Sequence, residues 1–315
     1  MTFPALFSKG VVQNVVHMII FEENPDRMKG FILYSFVVLI VIITGCSKNS
    51  DNYKIKVITL NVRYDNPGDS ANGWPNRSSI VGNFIRNEEP DLIGMQEVLF
   101  NQYVLLDSVL KDYSSIGVGR DDGARSGEMC PVFFKKDRFD MVRTITFWLS
   151  ETPDIPGSKA WGASLPRIVT WLELVDKNSH DHLFIFNTHF ANDSDSAQIM
   201  SSKLLLSKVD SIASGFPFVI TGDFNMLPSS KGYAMLTGPF ESVPLLRDTY
   251  VITEKNPNGP AWTFNGFSDK SGSGRIDYIF VRDGMKVLNH STIIKRSRGI
   301  NISDHWPVEA TVKLK

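Results

Sequence analysis

Cysteine is nearly absent from this sequence of 315 residues, which contains only Cys46 and Cys130. With two thiols the chain cannot build a disulfide framework or a zinc site of clustered cysteines. Cys130 lies in the strand-like run 130–134, which predicts a small core residue rather than a catalytic thiol. The chemistry of the protein therefore has to come from other side chains.

Net charge is also nearly absent, because 33 Lys and Arg residues stand against 34 Asp and Glu residues. This balance does not predict a broad basic surface. Long-duplex DNA is disfavoured as a ligand, since many phosphates would have to be neutralised at once. We expect any anionic ligand to be met by a local group of residues.

Near the amino end, the apolar run 31–44 is too short to cross a bilayer comfortably and has the length of a signal-peptide core. It follows Lys29 and ends in Ile-Thr-Gly-Cys at 43–46, which resembles a bacterial lipobox. Cys46 would then be the lipidated first residue of the mature chain. The alternative is an uncleaved anchor helix.

These features divide the chain into four segments. We predict an upstream extension at 1–27, a lipoprotein signal peptide at 28–45, a lipidated tether at 46–53 and one domain at 54–315. The domain would be anchored by lipid to a bacterial membrane in the cell envelope. Its sorting between inner and outer membrane stays open.

From residue 54 onward, strand patterns interleave with a few helical patterns, and no repeat or linker interrupts them. This mixture predicts a single α/β domain with more than one sheet. The predicted helices are 78–87, 101–111, 196–214 and 230–236; the predicted strands are 55–60, 91–97, 115–118, 131–135, 141–149, 168–175, 183–188, 218–223, 275–281, 286–294 and 308–314.

Polar side chains stand at the ends of several predicted strands. Each alone has a structural explanation, such as a turn residue or a satisfied core histidine, but together they are hard to explain by folding because burying each one costs free energy. Carboxylate and amide oxygens suit Mg²⁺ or Mn²⁺ rather than structural zinc. The set consists of Asn61, Glu97, His189, Asp223, Asn225, Asp277, Asp304 and His305.

Six short motifs contain these residues and lie at 59–61, 96–98, 187–189, 222–225, 275–279 and 303–308. In this order they resemble the motif set of the endonuclease/exonuclease/phosphatase superfamily, which has the fold of pancreatic deoxyribonuclease. The similarity extends from residue 54 to residue 315. It implies an α/β four-layer sandwich, in which two mixed β-sheets pack face to face and are flanked by helices. It also implies a metal-dependent hydrolase of phosphoester bonds.

The resemblance assigns three of the polar residues to a metal ion. Glu97 is the principal ligand of Mg²⁺, with Mn²⁺ as a possible substitute, and Asn61 helps to hold it. Asp304 belongs to the same or to a second metal position. The number of metal ions stays open.

The remaining motif residues are assigned to the reaction. By resemblance, Asp223 orients or deprotonates the attacking water, and Asn225 holds that water or a phosphate oxygen. His305 faces the scissile phosphate, with its ring fixed by Asp277. His189 contacts another phosphate oxygen.

Substrate contacts are predicted from residues outside the motifs. Arg120 and Arg167 could bind phosphate in bidentate fashion, and Trp161, Trp262 or Phe267 could stack on a base or sugar. Solvated charge and loop packing are the competing explanations. Arg167, which directly precedes a predicted strand, is the better candidate of the two arginines.

The class of phosphoester is the least determined feature. The order Arg-Ile-Asp at 275–277 resembles the nuclease, deadenylase-like and sphingomyelinase-like branches more than the inositol-polyphosphate 5-phosphatases. We predict a monomeric phosphodiesterase, nuclease or phosphatase acting on nucleic acid, nucleotide or another organic phosphate. The alternatives are a sphingomyelinase-like phospholipid phosphodiesterase and a catalytically idle ligand-binding lipoprotein with the same fold.

Overall fold

The computed structural model describes residues 53–240, 243–268, 270, 272 and 274–314. The predicted segments 1–27 and 28–45 and the predicted lipidation site Cys46 lie outside these residues. Among the helices of the described part, none has both the length and the apolar character of a membrane span.

The described residues form sixteen strands and five α-helices. The strands are β1 (Lys54–Asn61), β2 (Leu92–Gln96), β3 (Tyr113–Ile116), β4 (Val132–Lys135), β5 (Phe139–Trp148), β6 (Ile168–Asp176), β7 (His182–His189), β8 (Phe218–Asp223), β9 (Pro239–Phe240), β10 (Val243–Pro244), β11 (Leu246–Asp248), β12 (Asp277–Arg282), β13 (Lys286–Thr292), β14 (Arg296–Ser297), β15 (Ile300–Asn301) and β16 (Val308–Lys313). The helices are α1 (Trp74–Glu88), α2 (Phe100–Val109), α3 (Asp195–Ala213), α4 (Lys231–Thr237) and α5 (Thr249–Ile252), with a 3-10 helix at Pro67–Asn72.

Most strands belong to two six-stranded mixed sheets. The first has the order β13-β16-β1-β2-β4-β3, and the second has the order β11-β12-β8-β7-β6-β5. One central pair in each sheet is parallel, β1 with β2 and β7 with β8. The neighbours of these pairs, β16 beside β1 and β12 beside β8, run antiparallel.

Successive side chains of a central strand pack into two different hydrophobic cores. In β1, Ile55 and Val57 pack between the two sheets, whereas Ile58 and Leu60 pack under Phe84 of helix α1. Successive side chains of a strand point to opposite faces, so a strand covered on both faces needs apolar residues at nearly every position. This explains the continuous apolar run of β1.

The second sheet is built in the same way. Val219 of β8 lies between the sheets, whereas its neighbour Ile220 packs against Leu205 and Val209 of helix α3. Helices α1 and α2 thus cover one outer face and helices α3 and α4 cover the other. The predicted four-layer sandwich of two mixed sheets is confirmed.

A buried polar network joins the two sheets close to their common edge. Asn187 on β7 donates to the carbonyl oxygen of Met95 at 2.7 Å and accepts from the side chains of Gln96 at 2.7 Å and Thr221 at 3.0 Å. Gly94 leaves the space for it, since a Cβ there would lie 2.0 Å from Thr221 Oγ1. These contacts fix β2 against β7 and β8.

The predicted strands and long helices are present, with shifted ends. Helix α1 begins at Trp74, before the predicted start at residue 78, because Pro75 supplies a favourable first turn. The sequence patterns missed short elements such as the 3-10 helix and α5. Cys130 is a buried core residue beside Trp148 and Ile168, as predicted, and burial raises the pKa of its thiol.

Candidate active site

The strand topology brings the predicted residues to one edge of the sandwich. In the first sheet, Asn61 ends β1 and pairs in register with Gln96, so Glu97 follows directly beside it. In the second sheet His189 of β7 pairs with Asp223 of β8. The carboxyl ends of two parallel pairs therefore meet at this edge.

Two antiparallel strands bring the remaining residues to the same edge. Asp277 begins β12 and pairs with Asp223. Val308 of β16 pairs with Thr59, so the residues just before β16, Asp304 and His305, lie near the end of β1. Each acidic or imidazole group thus comes from a strand terminus, where a rigid backbone positions it.

Asn61 connects the two halves of the site. Its side-chain Nδ2 donates to Glu97 Oε1 at 3.0 Å and to Asp223 Oδ2 at 2.9 Å, while its Oδ1 accepts from the backbone N–H of Arg63 at 2.9 Å. Asn61 is completely buried. One amide therefore ties the first sheet's carboxylate to the second sheet's carboxylate.

His305 forms a buried pair with Asp277. Its Nδ1 donates to Asp277 Oδ2 at 2.9 Å, and its Nε2 lies 3.8 Å from Asp223 Oδ2. Burial alone would lower the pKa of His305, but the carboxylates of Asp277 and Asp223 outweigh it and raise that pKa well above its ordinary value. The imidazole is therefore held in its charged form beside Asp223.

His189 has the opposite character. Burial lowers its pKa well below the ordinary value, and the positive charges of Arg167 and Arg120 add to this effect. Its Nε2 accepts from Asn225 Nδ2 at 3.0 Å. A neutral imidazole thus stands on one side of Asp223, and a charged one stands on the other.

Asn225 reaches His189 through a local turn rather than through strand alternation. Its φ angle is 52°, in the left-handed region that asparagine tolerates better than most residues. Its backbone N–H donates to Asp223 Oδ1 at 3.0 Å. Phe224 between them is fully buried in the core, and a Cβ at Gly222 would lie 2.7 Å from the carbonyl oxygen of Thr188.

Asp223 is a buried carboxylate with a weakened acidity. Desolvation raises its pKa, the nearby carboxylate of Asp277 raises it further, and His305 partly offsets both. A carboxylate with a raised pKa is a better proton acceptor near neutral pH. Asp223 therefore has the environment of a general base.

Glu97 and Asp304 form an acidic group beside Arg63. Arg63 lies 4.0 Å from Glu97 Oε2 and 3.9 Å from Asp304 Oδ2, but its hydrogen bonds go to both oxygens of Asp69. The backbone N–H of Tyr64 donates to Glu97 Oε2 at 3.2 Å. Burial raises the pKa of Asp304, as expected for a carboxylate that lacks a strong cationic partner.

The donor set of the site fits a hard divalent cation. Ligand atoms of Glu97, His189 and Asp223 lie within 4.8 Å of one another. Arg63 and His305 also lie within 4.0 Å of Glu97, Asp223 or Asp304, but these two cations stand against five carboxylates when Asp69 and Asp277 are included. An excess of carboxylates over cations favours binding of a metal ion.

The predicted substrate residues take different positions. Arg120 is buried and forms a bidentate pair with Glu128, at 2.8 and 2.9 Å, next to His189. Arg167 is buried at the start of β6, beside the end of β7. The indole N–H of Trp161 instead donates to Glu151, so the prediction of a stacking role gains no contact in the site.

Three residues that sequence reasoning missed belong to the site. Glu128 lies between Arg120 and His189, and Arg63 with Asp69 flanks the acidic group. Glu128 closes a glycine-rich loop that begins with Arg120, which was the available signal. Nothing in the local pattern distinguishes Arg63 or Asp69 from ordinary loop residues.

Comparisons with known proteins give a family match and similar solved structures. Residues 58–305 match the model of the Endonuclease/Exonuclease/phosphatase family. A solved structure of an endonuclease/exonuclease/phosphatase from Bacteroides vulgatus is 37% identical, covers 83% of this chain and 99% of its own, and has a TM-score of 0.79.

Two further proteins are similar over most of their length. The mannosyl-6-phosphatase structure from Bacteroides thetaiotaomicron is 32% identical, covers 82% of this chain and 99% of its own, and has a TM-score of 0.75. The uncharacterized protein L388 of Acanthamoeba polyphaga mimivirus is 31% identical and covers 81% of this chain and 98% of its own.

Proposed function

Because this chain belongs to the Endonuclease/Exonuclease/phosphatase family, we propose that it hydrolyses phosphoester bonds with the aid of a divalent metal ion. The observation that carries the proposal is the position of Asp223 between a neutral and a charged imidazole. Its Oδ2 is 3.5 Å from His189 Nε2 and 3.8 Å from His305 Nε2. A proton acceptor and a cationic hydrogen-bond donor are thus adjacent.

The protein side chains divide the work between water and phosphate. Asp223 accepts the proton of the attacking water, for which its raised pKa is suited. His305 donates from Nε2 to a phosphoryl oxygen, while Asp277 holds the ring and stabilises its positive charge. Asn225 keeps His189 in place through the 3.0 Å hydrogen bond.

Glu97, Asn61 and Asp304 would hold the metal ion. A bound Mg²⁺ or Mn²⁺ supplies positive charge that offsets the charge developing on the phosphoryl oxygens. Because Asn61 contacts both Glu97 and Asp223, it sets the distance between the metal-holding side and the water-activating side.

The complete set of polar strand ends supports an enzyme over an idle binding protein. A protein that only bound a ligand would not need Asp223 buried against Asp277, since their repulsion and desolvation cost free energy. Similarity to a mannosyl-6-phosphatase supports phosphoester chemistry on this fold.

The test is hydrolysis by the purified protein with and without Mg²⁺. We expect activity on p-nitrophenyl phosphate, bis-p-nitrophenyl phosphate or an oligonucleotide, lost in Asp223→Ala and in His305→Ala. Asp140→Ala and His180→Asn, which change exposed residues of the same types, serve as matched controls. Full activity in both site variants would refute the mechanism, and inactivity of the wild type on the whole panel would favour the binding protein.

A lipid anchor at Cys46 remains part of the proposal. Its support is the Ile-Thr-Gly-Cys sequence at 43–46 behind an apolar run. We expect to find the protein in the membrane fraction of a bacterial host. The Cys46→Ala variant should keep its signal peptide and remain unprocessed. Normal processing and lipid labelling of Cys46→Ala would contradict the anchor.

A further inference from the structure

Next to His189 lies a group of three charged residues that the reaction described above does not use. Arg120 and Glu128 face each other across a bidentate hydrogen-bonded pair, and Glu128 Oε2 is 3.8 Å from His189 Nδ1. Arg167 comes from the other side: it directly precedes β6, whose Val169 pairs with Thr188 of β7. The start of β6 therefore lies beside the end of β7, where His189 stands.

Arg167 is buried without adequate hydrogen-bond acceptors. Only 6% of its surface is exposed, and its Nε and Nη1 have no partner among the described residues. The guanidinium makes one hydrogen bond within the described residues, a long contact of 3.4 Å from Nη2 to the side-chain oxygen of Asn192, an exposed residue. Arg120 Nε and His189 Nδ1 likewise have no hydrogen-bond partner there. Donors therefore exceed acceptors at this position.

Such an arrangement is costly unless an anion completes it. A buried guanidinium without a counter-charge loses hydration that nothing in the folded chain replaces. Within the described part of the chain, Arg167 has no carboxylate within 4.0 Å, although Glu128 and Asp223 attract it at longer range, whereas Arg120 is hydrogen-bonded to Glu128. The guanidinium of Arg167 thus keeps donors for an anion, adjacent to the groups that face the phosphate.

The positive charge of Arg167 can distinguish phosphodiesters from phosphomonoesters. A phosphodiester carries one negative charge, whereas a phosphomonoester carries about −1.5 to −2 near neutral pH. The charged imidazole of His305 supplies one cationic donor, which matches the single charge of a diester. The guanidinium of Arg167 would supply a second one, which is matched by the second charge of a monoester.

We propose that Arg167, supported by the Arg120–Glu128 pair, forms an anion subsite that selects the doubly charged terminal phosphate of phosphomonoesters. The substrate class is thus a small organic phosphomonoester rather than an internal diester of nucleic acid or phospholipid. This inference rests on the phosphoester hydrolysis proposed above, because it concerns selectivity at the same site.

The first experiment compares two substrates with the same leaving group, p-nitrophenyl phosphate and bis-p-nitrophenyl phosphate, together with a hexose 6-phosphate. We expect wild-type protein to prefer the monoesters. Arg167→Met, which preserves side-chain length without charge, should lower kcat/KM for monoesters at least tenfold more than for the diester. Arg167→Lys should restore part of the preference, and Arg247→Met, at an exposed ion pair, should leave it unchanged.

The second experiment measures binding without turnover. In the presence of a chelator, inorganic phosphate should raise the Tm of the wild type and of Arg247→Met but not that of Arg167→Met. Arg167→Met without phosphate should unfold at the same temperature as the wild type or higher, because an unpartnered buried charge has been removed.

The outcomes separate this inference from the broader one. Hydrolysis of the diester with no monoester activity would overturn the subsite and leave phosphoester hydrolysis standing. Equal losses on both substrates in Arg167→Met, or a markedly lower Tm, would assign Arg167 a structural role and overturn the subsite. Hydrolysis of none of the compounds would overturn the proposed function itself.

Discussion

At the scale of single residues, similar burial produces opposite protonation states. His189 and His305 are both almost inaccessible to solvent, with 6% and 4% of their surface exposed. Desolvation disfavours the charged form of each ring, but only His305 has a carboxylate hydrogen-bonded to it. The neighbours supplied by the fold, rather than the residue type, decide which imidazole carries a positive charge.

A third buried histidine, which lies away from the site, should make the stability of the protein depend on pH. His290 is buried on β13, its Nδ1 is 2.9 Å from Thr249 Oγ1, and its Nε2 has no partner in the described residues. Burial lowers its pKa from 6.5 to about 3. The folded state therefore keeps His290 neutral at pH values where the unfolded chain binds a proton.

The sign of the effect follows from this difference in proton binding. Because the unfolded chain binds one more proton between pH 6.5 and about 3, the free energy of unfolding should fall as pH falls through this window. The contribution is at most about 1.4 kcal/mol per pH unit. Urea unfolding at several pH values should show that the free energy of unfolding depends less steeply on pH in His290→Asn than in the wild type. An identical slope would contradict the assignment.

Arg77 is a second residue whose replacement should have a clear effect, because it should lower the free energy of unfolding more than replacement of an exposed arginine does. It is fully buried on helix α1 and donates to the carbonyl oxygens of Asn72, Val62, Ile302 and Arg63. The loops after Asn61 and before Asp304 are thereby tied to one guanidinium. Its neighbours in sequence give no sign of this role.

Replacing Arg77 should destabilise the protein and displace the loops after Asn61 and before Asp304. Arg77→Met leaves four carbonyl oxygens without their donor, at about 1 kcal/mol each, so we expect a loss of about 4 kcal/mol in the free energy of unfolding. Arg86→Met, on the exposed side of the same helix, should change it by less than about 0.5 kcal/mol. Equal effects in urea unfolding would refute the role of Arg77.

At the scale of elements, the ends of rigid strands act as the supports of the site. β1, β2, β7 and β8 each deliver one polar residue at their carboxyl ends, while β12 and β16 begin at the same edge. The buried network around Asn187 holds β2 at a fixed distance from β7 and β8. The separation of Glu97 from Asp223 therefore depends on how closely these strands approach.

Gly94 determines how closely these strands approach. Two glycine substitutions can test this role. A Cβ at Gly94 would meet Thr221 Oγ1 at 2.0 Å and Asn187 Oδ1 at 2.5 Å. Gly94→Ala should lower the free energy of unfolding by about 3 kcal/mol through overpacking and should also reduce activity. Gly82→Ala in helix α1 has room, with the nearest side-chain atoms at 3.5 Å, and should raise stability by about 0.5–1 kcal/mol. Thermal unfolding measures both variants, and a harmless Gly94→Ala would contradict the packing argument.

At the scale of the whole molecule, the site lies across the seam between two sheets. Asn61 and Glu97 belong to the first sheet and Asp223 to the second, and the hydrogen bonds of Asn61 join them. A cation at these carboxylates would relieve their repulsion and link the sheets. Metal binding should therefore stabilise the fold as a unit.

Thermal unfolding with added metal tests this coupling. A cation that binds only the folded state should stabilise it by about 2.7 kcal/mol at a concentration one hundred times its Kd. We expect Mg²⁺ or Mn²⁺ to raise the Tm, and EDTA to reverse the shift. Glu97→Gln should lose most of it, whereas a full shift in Glu97→Gln would place the metal elsewhere.

The sequence by itself determined the family, the order of the main elements and the chemical identity of most site residues. Continuous apolar runs predict strands buried on both faces, and polar residues at their ends predict a site, because both signals are local. Asn61, Glu97, His189, Asp223, Asn225, Asp277, Asp304 and His305 were all found in this way, and the structure brings them together.

Only the tertiary structure decided how these residues differ from one another. The neutral His189, the charged His305 and the incompletely hydrogen-bonded guanidinium of Arg167 depend on distances between residues far apart in the chain. Protonation and hydrogen bonding follow burial and the nearest charges, and both are set by packing of the two sheets. A local pattern names the groups of a site, but the folded environment sets their charge.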